Sequence, residues 1–411
     1  MSEYTYLIVG GGLAGQRAAQ GIRKVDTQGT VALVTAEPHV PYERPPLSKG
    51  YLMGKEGLDA AYLQDEAWYE ENGIALMKSR SATGVDAAAH TVVLDDGQEL
   101  EYGKLLLATG GHARRLPMPG ADLPNVFTLR TIEDSDGIRE AAETAEHALV
   151  LGGSFIGSEV AASLTQLGLD VTMVFPESRL LERVVPQAFS DMLQSSFRAE
   201  GVSILNGVTP ERFEGDTAVE RALLSDGRAL AVGLVVMGVG IRLNTELAQS
   251  AGLELTERGE VVVNEVLCTS DPDIYAAGDI AAWPDPTFER RLRVEHWDVA
   301  RRQGLRAGRN MAGELKPYTA VPYFFSDMFD ISFEVWGNLM SWDRTVLRGE
   351  LGVASYQLFY FDLGTLVAVL TVGRLGDDRK TIPQLVEARL AYENVADRLP
   401  DAAVELSSLL D

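Results

Sequence analysis

Gly10, Gly12 and Gly15 stand at the spacing G-x-G-x-x-G directly behind the apolar run Tyr6-Leu-Ile-Val9. A glycine at the first place permits a tight turn. At the second it lets the backbone approach a pyrophosphate, and at the third it lets a helix pack closely on a strand. The helix that follows would offer its N-terminal amides and positive dipole end to the phosphates. Leu13 and Ala14 complete the turn, and Glu37, behind the next apolar run Val31-Ala-Leu-Val34, is placed to take ribose hydroxyls.

A second version of the pattern reads Gly152-Gly-Ser-Phe-Ile-Gly157. Gly152 and Gly157 fit, Ser154 replaces the middle glycine, and Phe155 and Ile156 fill the turn. Phe175 stands where an acid is expected straight after the following strand, and Glu177 is the substitute candidate. A carboxylate there would favour NAD over NADP by repelling a 2′-phosphate. Arg179 and Arg183 lie close enough to oppose it.

The elements that must hold these turns repeat. A strand, a glycine turn, a helix and a second strand occupy 6–37, and the same order returns over 148–174. Between them, 92–94 and 99–102 read as short strands around Asp95-Asp-Gly97, and 104–108 as another buried strand. Asp226-Gly227 marks a second hairpin, and 234–239 is a further apolar strand ending at Gly238 and Gly240. From about Pro322 the texture becomes β-rich, with a last amphipathic helix over 383–399. The pattern predicts an α/β fold: two Rossmann-like dinucleotide-binding domains and a C-terminal α+β domain. The expected division is a discontinuous first domain over 1–115 and 243–317, an inserted second domain over 116–242, and a third over 318–411.

Composition narrows the chemistry. The 411 residues hold 36 Lys and Arg against 60 Asp and Glu, a net charge of −24, which opposes nucleic acid or an anionic membrane as main partner. Cys268 is the single cysteine, so the chain has no intrachain disulfide, no Cys-based zinc site, no iron–sulfur cluster of its own and no dithiol centre. The N-terminus lacks the features of a signal peptide, and no apolar run approaches the roughly 20 residues of a membrane helix. A cytoplasmic location is expected.

Four further segments sharpen the reading: Pro41-Tyr-Glu-Arg-Pro-Pro-Leu-Ser-Lys49, Thr269-Ser-Asp-Pro-Asp-Ile-Tyr-Ala-Ala-Gly-Asp279, Arg293-Val-Glu-His-Trp-Asp298 and Phe324-Phe-Ser-Asp327. Together with the glycine turns they resemble the FAD-dependent pyridine nucleotide-disulfide oxidoreductase superfamily, in the branch of ferredoxin and rubredoxin reductases and apoptosis-inducing factor. The resemblance covers nearly the whole chain. It implies non-covalent FAD and NADH, with NADPH the weaker alternative. It also implies a Lys49–Glu159 pair where the nicotinamide meets the flavin, and there a cation would stabilise developing negative charge. By the same resemblance Arg44, Ala82, Thr109, Gly110, Arg130 and Asp279 contact FAD. Glu295 and His296 lie at its pyrimidine edge, Phe325 lies near the nicotinamide, and Trp297, Gly238 and Gly240 are further cofactor-binding positions.

Disulfide reductases of that superfamily carry a cysteine pair beside the flavin, whereas the stretch Arg44-Pro-Pro-Leu-Ser-Lys49 holds no thiol. Electrons must then leave the flavin directly, and a ferredoxin or rubredoxin is the expected acceptor. Arg290, Arg291, Arg293, Arg301, Arg302, Arg306 and Arg309 form a basic segment that could dock an acidic partner. The rival expectation is an NADH-responsive binding protein like apoptosis-inducing factor, or an NADH oxidase, in which NADH forms a long-lived charge-transfer complex. Monomer and homodimer both stay open.

Overall fold

The computed structural model describes residues 2–352, 355–373 and 378–410. The chain forms two compact units: one of 1–43, 59–112 and 242–323, the other of 44–58, 113–241 and 324–411.

The first unit is built on a parallel sheet in the order Ile74–Met77, Val31–Val34, Ser2–Val9, Glu99–Leu107. Val9 pairs with Leu107 and Leu107 with Ala276, so the strand Ile274–Ala276 ends at the same edge. That register brings three distant segments to one carboxyl edge: Gly10–Gly15, Thr109-Gly110 and Gly278-Asp279. Such an edge is where ligands bind in open α/β sheets.

Strand Glu99–Leu107 is continuous, where the sequence suggested two short strands. Its first half pairs antiparallel with Thr91–Leu94 and its second half parallel with Ile274–Ala276. Gly103 lies between the halves, where a Cβ would stand 2.9 Å from the Thr5 carbonyl oxygen. Gly103 is a site of close strand approach within one strand.

Helices Leu13–Arg23 and Trp297–Met311 pack backbone to backbone in this unit. A Cβ on Gly304 would lie 2.1 Å from the Ala14 carbonyl oxygen, and one on Gly308 2.0 Å from that of Ala18. No helix among the described residues is long and apolar enough to cross a membrane.

The second unit holds a five-stranded parallel sheet in the order Ser203–Asn206, Asp170–Phe175, His147–Leu151, Leu234–Met237, Val126–Thr128. A three-stranded antiparallel sheet, Pro210–Glu214, Arg221–Leu224 and Ala229–Ala231, contains the expected turn at Asp226-Gly227. The C-terminal part is a five-stranded sheet in the order Tyr323–Met328, Ile331–Gly337, Thr365–Val372, Tyr356–Asp362, Arg344–Gly349. The expected helix over 383–399 is two shorter ones, Asp378–Glu387 and Tyr392–Val395. Arg389 takes a φ of +49° between them, and the Leu390 carbonyl accepts from the Leu366 amide at 2.9 Å. A sheet contact therefore interrupts the apolar periodicity.

Candidate active site

At the first glycine turn the three glycines differ in what surrounds them. Gly10 has φ +123°, and a Cβ there would meet the Ala108 carbonyl oxygen at 2.1 Å. A Cβ on Gly15 would meet the Gly10 carbonyl oxygen at 1.9 Å. Gly12, the N-cap of helix Leu13–Arg23, has nothing within 4 Å of such an atom. No side chain caps that helix. The space above Gly12, with uncapped amides beneath it, suits a diphosphate and so fits FAD.

The remaining positions expected around FAD gather at this edge in part. Glu37 accepts a hydrogen bond from the Tyr42 hydroxyl. The amides of Ser79 and Arg80 donate to the carbonyls of Glu37 and Thr35 at 3.2 and 3.0 Å, which leads the chain toward Ala82. Thr109 Oγ1 donates to the Asn244 carbonyl at 2.5 Å, and the Gly110 carbonyl accepts from the Asn244 amide at 2.9 Å. Gly278, at φ +80°, donates its amide to Gln303 Oε1 at 2.9 Å and so fixes the backbone that carries Asp279. His296 is the N-cap of helix Trp297–Met311. Glu295 pairs with Arg293 at 2.5 Å, and the Trp297 ring lies 5.3 Å from the Arg301 guanidinium.

In the second unit, Gly152 has φ +114° and would set a Cβ 2.3 Å from the Gly238 carbonyl oxygen. A Cβ on Gly157 would meet the Gly152 carbonyl oxygen at 2.1 Å. Ser154 is the N-cap of helix Phe155–Gln166 but makes no capping bond, so this N-terminus too keeps its amides clear of a side-chain cap. Phe175 is buried beneath Gly153, whose Cβ would stand 2.8 Å from the ring. It is a core residue. The Glu177 carboxylate faces Arg183 at 3.3 Å, as the sequence warned.

A cleft in this unit is lined by Ile156, Gly238 and Gly240 together with Arg44 and Arg130, two residues that the resemblance assigns to FAD. Leu47, Ser48, Met237 and Ile241 also line it and were not singled out as site residues. Arg44 donates to the Arg130 carbonyl.

Beside that cleft, Lys49 Nζ stands 3.0 Å from Glu159 Oε1 and 3.7 Å from Asp327 Oδ2, with the Phe325 ring centroid at 5.3 Å. Glu159 is buried, 6% exposed. The ammonium is thus held between two acids and an aromatic face.

The arginine segment is largely committed to internal pairing. Arg293 pairs with Glu260 and Glu295, Arg301 and Arg302 with Asp298, and Arg306 and Arg309 with Glu314. Arg291 donates to the carbonyls of Val263 and Ala282. Cys268 belongs to the first unit, whereas Lys49 and Glu159 belong to the second. It is buried outside any extended strand, bridged to Tyr275, and burial pushes its thiol pKa up. It has the character of a packing residue.

Two phosphate-sized glycine turns, one in each unit, and a thiol-free lysine–carboxylate pair define a two-dinucleotide flavoprotein. Residues 4–304 match the pyridine nucleotide-disulphide oxidoreductase model and residues 323–410 the reductase C-terminal model. The chain belongs to the pyridine nucleotide-disulphide oxidoreductase family, in its ferredoxin reductase branch. It is 36% identical over 413 residues to the 5,5′-dehydrodivanillate O-demethylase ferredoxin reductase subunit of Sphingobium sp., covering 100% of this chain and 99% of that one. It is 34% identical to putidaredoxin reductase of Pseudomonas putida, covering 98% of this chain and 96% of that one. The solved covalent complex of putidaredoxin reductase with putidaredoxin superposes with a TM-score of 0.93 at 33% identity, covering 100% of this chain and 99% of the reductase.

Proposed function

We propose that this chain is a cytoplasmic NADH-dependent ferredoxin reductase. The observation that carries the reading is the Lys49–Glu159 pair in a site without a thiol, in a chain similar along its whole length to ferredoxin reductases. Bound FAD supplies the step from two-electron hydride chemistry to one-electron delivery.

The protein's own residues do the rest. Gly10, Gly12 and Gly15 seat the FAD diphosphate, Glu37 takes its ribose, and Thr109, Gly110 and Asp279 line its course, with FAD carried by 1–115 and 243–317. The turn Gly152–Gly157 seats the NADH diphosphate within 116–242, and Glu177 takes the ribose hydroxyls. The Arg44–Gly238–Gly240 cleft leads the nicotinamide toward Lys49. Lys49 supplies a fixed positive charge there, and Glu159 orients it. The region 318–411 completes the site through Phe325 and Asp327.

The acceptor is a ferredoxin or a rubredoxin. The test mixes FAD-loaded protein with NADH, a panel of both carriers, and cytochrome c as terminal reporter. Carrier-dependent reduction is expected. Reduction of ferricyanide with every carrier inert would overturn the reading. A long-wavelength band persisting for minutes in air would point instead to the NADH-responsive binding protein.

A further inference from the structure

Glu159 is a carboxylate almost without access to water, and a single lysine does not fill its hydrogen-bonding capacity. Three donors do. Oε1 accepts from the Ser326 hydroxyl at 2.6 Å as well as facing Lys49 at 3.0 Å. Oε2 accepts from the Ser48 hydroxyl at 2.6 Å. Ser48 is 1% exposed and Ser326 fully enclosed, so both hydroxyls meet the carboxylate away from bulk water.

Each serine is itself anchored. Ser48 ends the turn Pro45–Ser48, whose two prolines restrict the backbone. The Ser48 carbonyl accepts from the Ser163 hydroxyl at 2.6 Å, and the preceding Leu47 carbonyl accepts from Ser135 at 2.9 Å. Ser326 sits in strand Tyr323–Met328 between Phe325 and Asp327, the two residues that approach the Lys49 ammonium.

We propose that Ser48 and Ser326 are positioning residues. Each fixes one oxygen of Glu159, and through that carboxylate they fix the Lys49 ammonium. The proposal rests on the reading of Lys49 and Glu159 as the pair at the hydride-transfer site. It gives the strand after Tyr323 a defined part in the reaction. Without the Ser326 hydroxyl, Glu159 Oε1 keeps only Lys49, which has the more exposed Asp327 as an alternative partner.

The experiment follows single-turnover reduction of the FAD-loaded protein by NADH in wild type, Ser48→Ala, Ser326→Ala, Ser326→Thr, Glu159→Gln and the double variant Glu159→Gln with Ser326→Ala. Each alanine variant should lower the limiting rate by about tenfold, the effect of one hydrogen bond to a charged group. The NADH concentration at half-maximal rate should not change. Ser326→Thr keeps the hydroxyl and should restore most of the rate. In the Glu159→Gln background, Ser326→Ala should cost nothing further, since it acts through the lost carboxylate.

A readout independent of turnover is the infrared carboxylate stretch of Glu159, identified by its loss in Glu159→Gln. It should move in both alanine variants. Additive rate losses, or an unmoved band, overturn the proposal. Slow reduction of Lys49→Met with serine variants at the wild-type rate overturns the proposal alone. Lys49→Met at the wild-type rate removes the underlying reading as well.

Discussion

Glu159, in the second turn of the helix behind Gly152, meets Lys49, the residue that closes a proline-led turn, at 3.0 Å. The contact ties the second glycine turn to the segment Pro41–Lys49, and it places one fixed positive charge beside the Arg44–Gly240 cleft. Its consequences are measurable.

Lys49→Met keeps most of the side-chain volume and removes the charge. FAD should stay bound, while reduction by NADH should slow about a hundredfold to a thousandfold, the usual effect of losing one electrostatic contact worth about 2.7–4 kcal/mol. Stopped-flow flavin bleaching measures it. Unchanged bleaching in a variant that retains FAD would remove Lys49 from the site.

Gly12→Val separates ligand space from protein packing. No protein atom lies within 4 Å of a Cβ at Gly12, so the fold should lose no more than about 1 kcal/mol. FAD retention should fall sharply, giving folded but colourless protein. Gly15→Ala drives a Cβ to within 1.9 Å of the Gly10 carbonyl oxygen and should cost about 3 kcal/mol in the fold itself. Thermal melts and FAD released on heating distinguish the two. A yellow Gly12→Val protein would contradict the diphosphate assignment.

Arg183 is 84% exposed and faces the Glu177 carboxylate. Such pairs are weak, so Arg183→Ala should raise the NADH over NADPH preference by only about two- to fivefold. Glu177→Ala should lower that preference. The ratio of kcat/KM for the two nucleotides decides it, and a ratio indifferent to Glu177 would take that residue out of the ribose site.

Cys268 is buried with its thiol pKa pushed up by desolvation, so little thiolate forms at neutral pH. A disulfide reagent should modify the folded protein slowly and the denatured protein fast. Cys268→Ala should retain NADH-driven reduction of ferricyanide and lose about 1 kcal/mol of stability. Loss of activity in a folded, FAD-loaded Cys268→Ala protein would show that electrons pass through a thiol after all.

The parts of the molecule governed by short-range pattern were legible in the sequence. The two glycine turns, the helices behind them and the strands before them follow from local spacing, and their glycines are explained by carbonyl oxygens about 2 Å from where a Cβ would lie. What failed were judgements that depend on distant partners. The stretch 99–108 reads as two strands until the Thr5 backbone is seen beside Gly103. The helix over 383–399 reads as continuous until Leu390 is seen bonded to Leu366. The Lys49–Glu159 contact came only from family resemblance, because nothing local links a proline turn to a helix so far along the chain. Ser48 and Ser326 stand inside two of the segments that carry the resemblance, but their role was not legible, since a neutral hydroxyl in a loop or strand looks the same whether it binds a carboxylate or faces solvent.

The close contact of helices Leu13–Arg23 and Trp297–Met311, with glycines set against carbonyl oxygens, bears on how the chain is made. The parallel sheet of the second unit draws all its strands from 126–237, so it can form as soon as that stretch leaves the ribosome. The first unit begins earlier but must wait for strand Ile274–Ala276 and then for the helix ending at Met311. During those seconds of synthesis its opening strands and first helix have an uncovered apolar flank while the segment inserted after them is already folded. Nascent chains stalled short of Met311 should therefore bind chaperones through their oldest residues, and completion of one late helix should end that dependence.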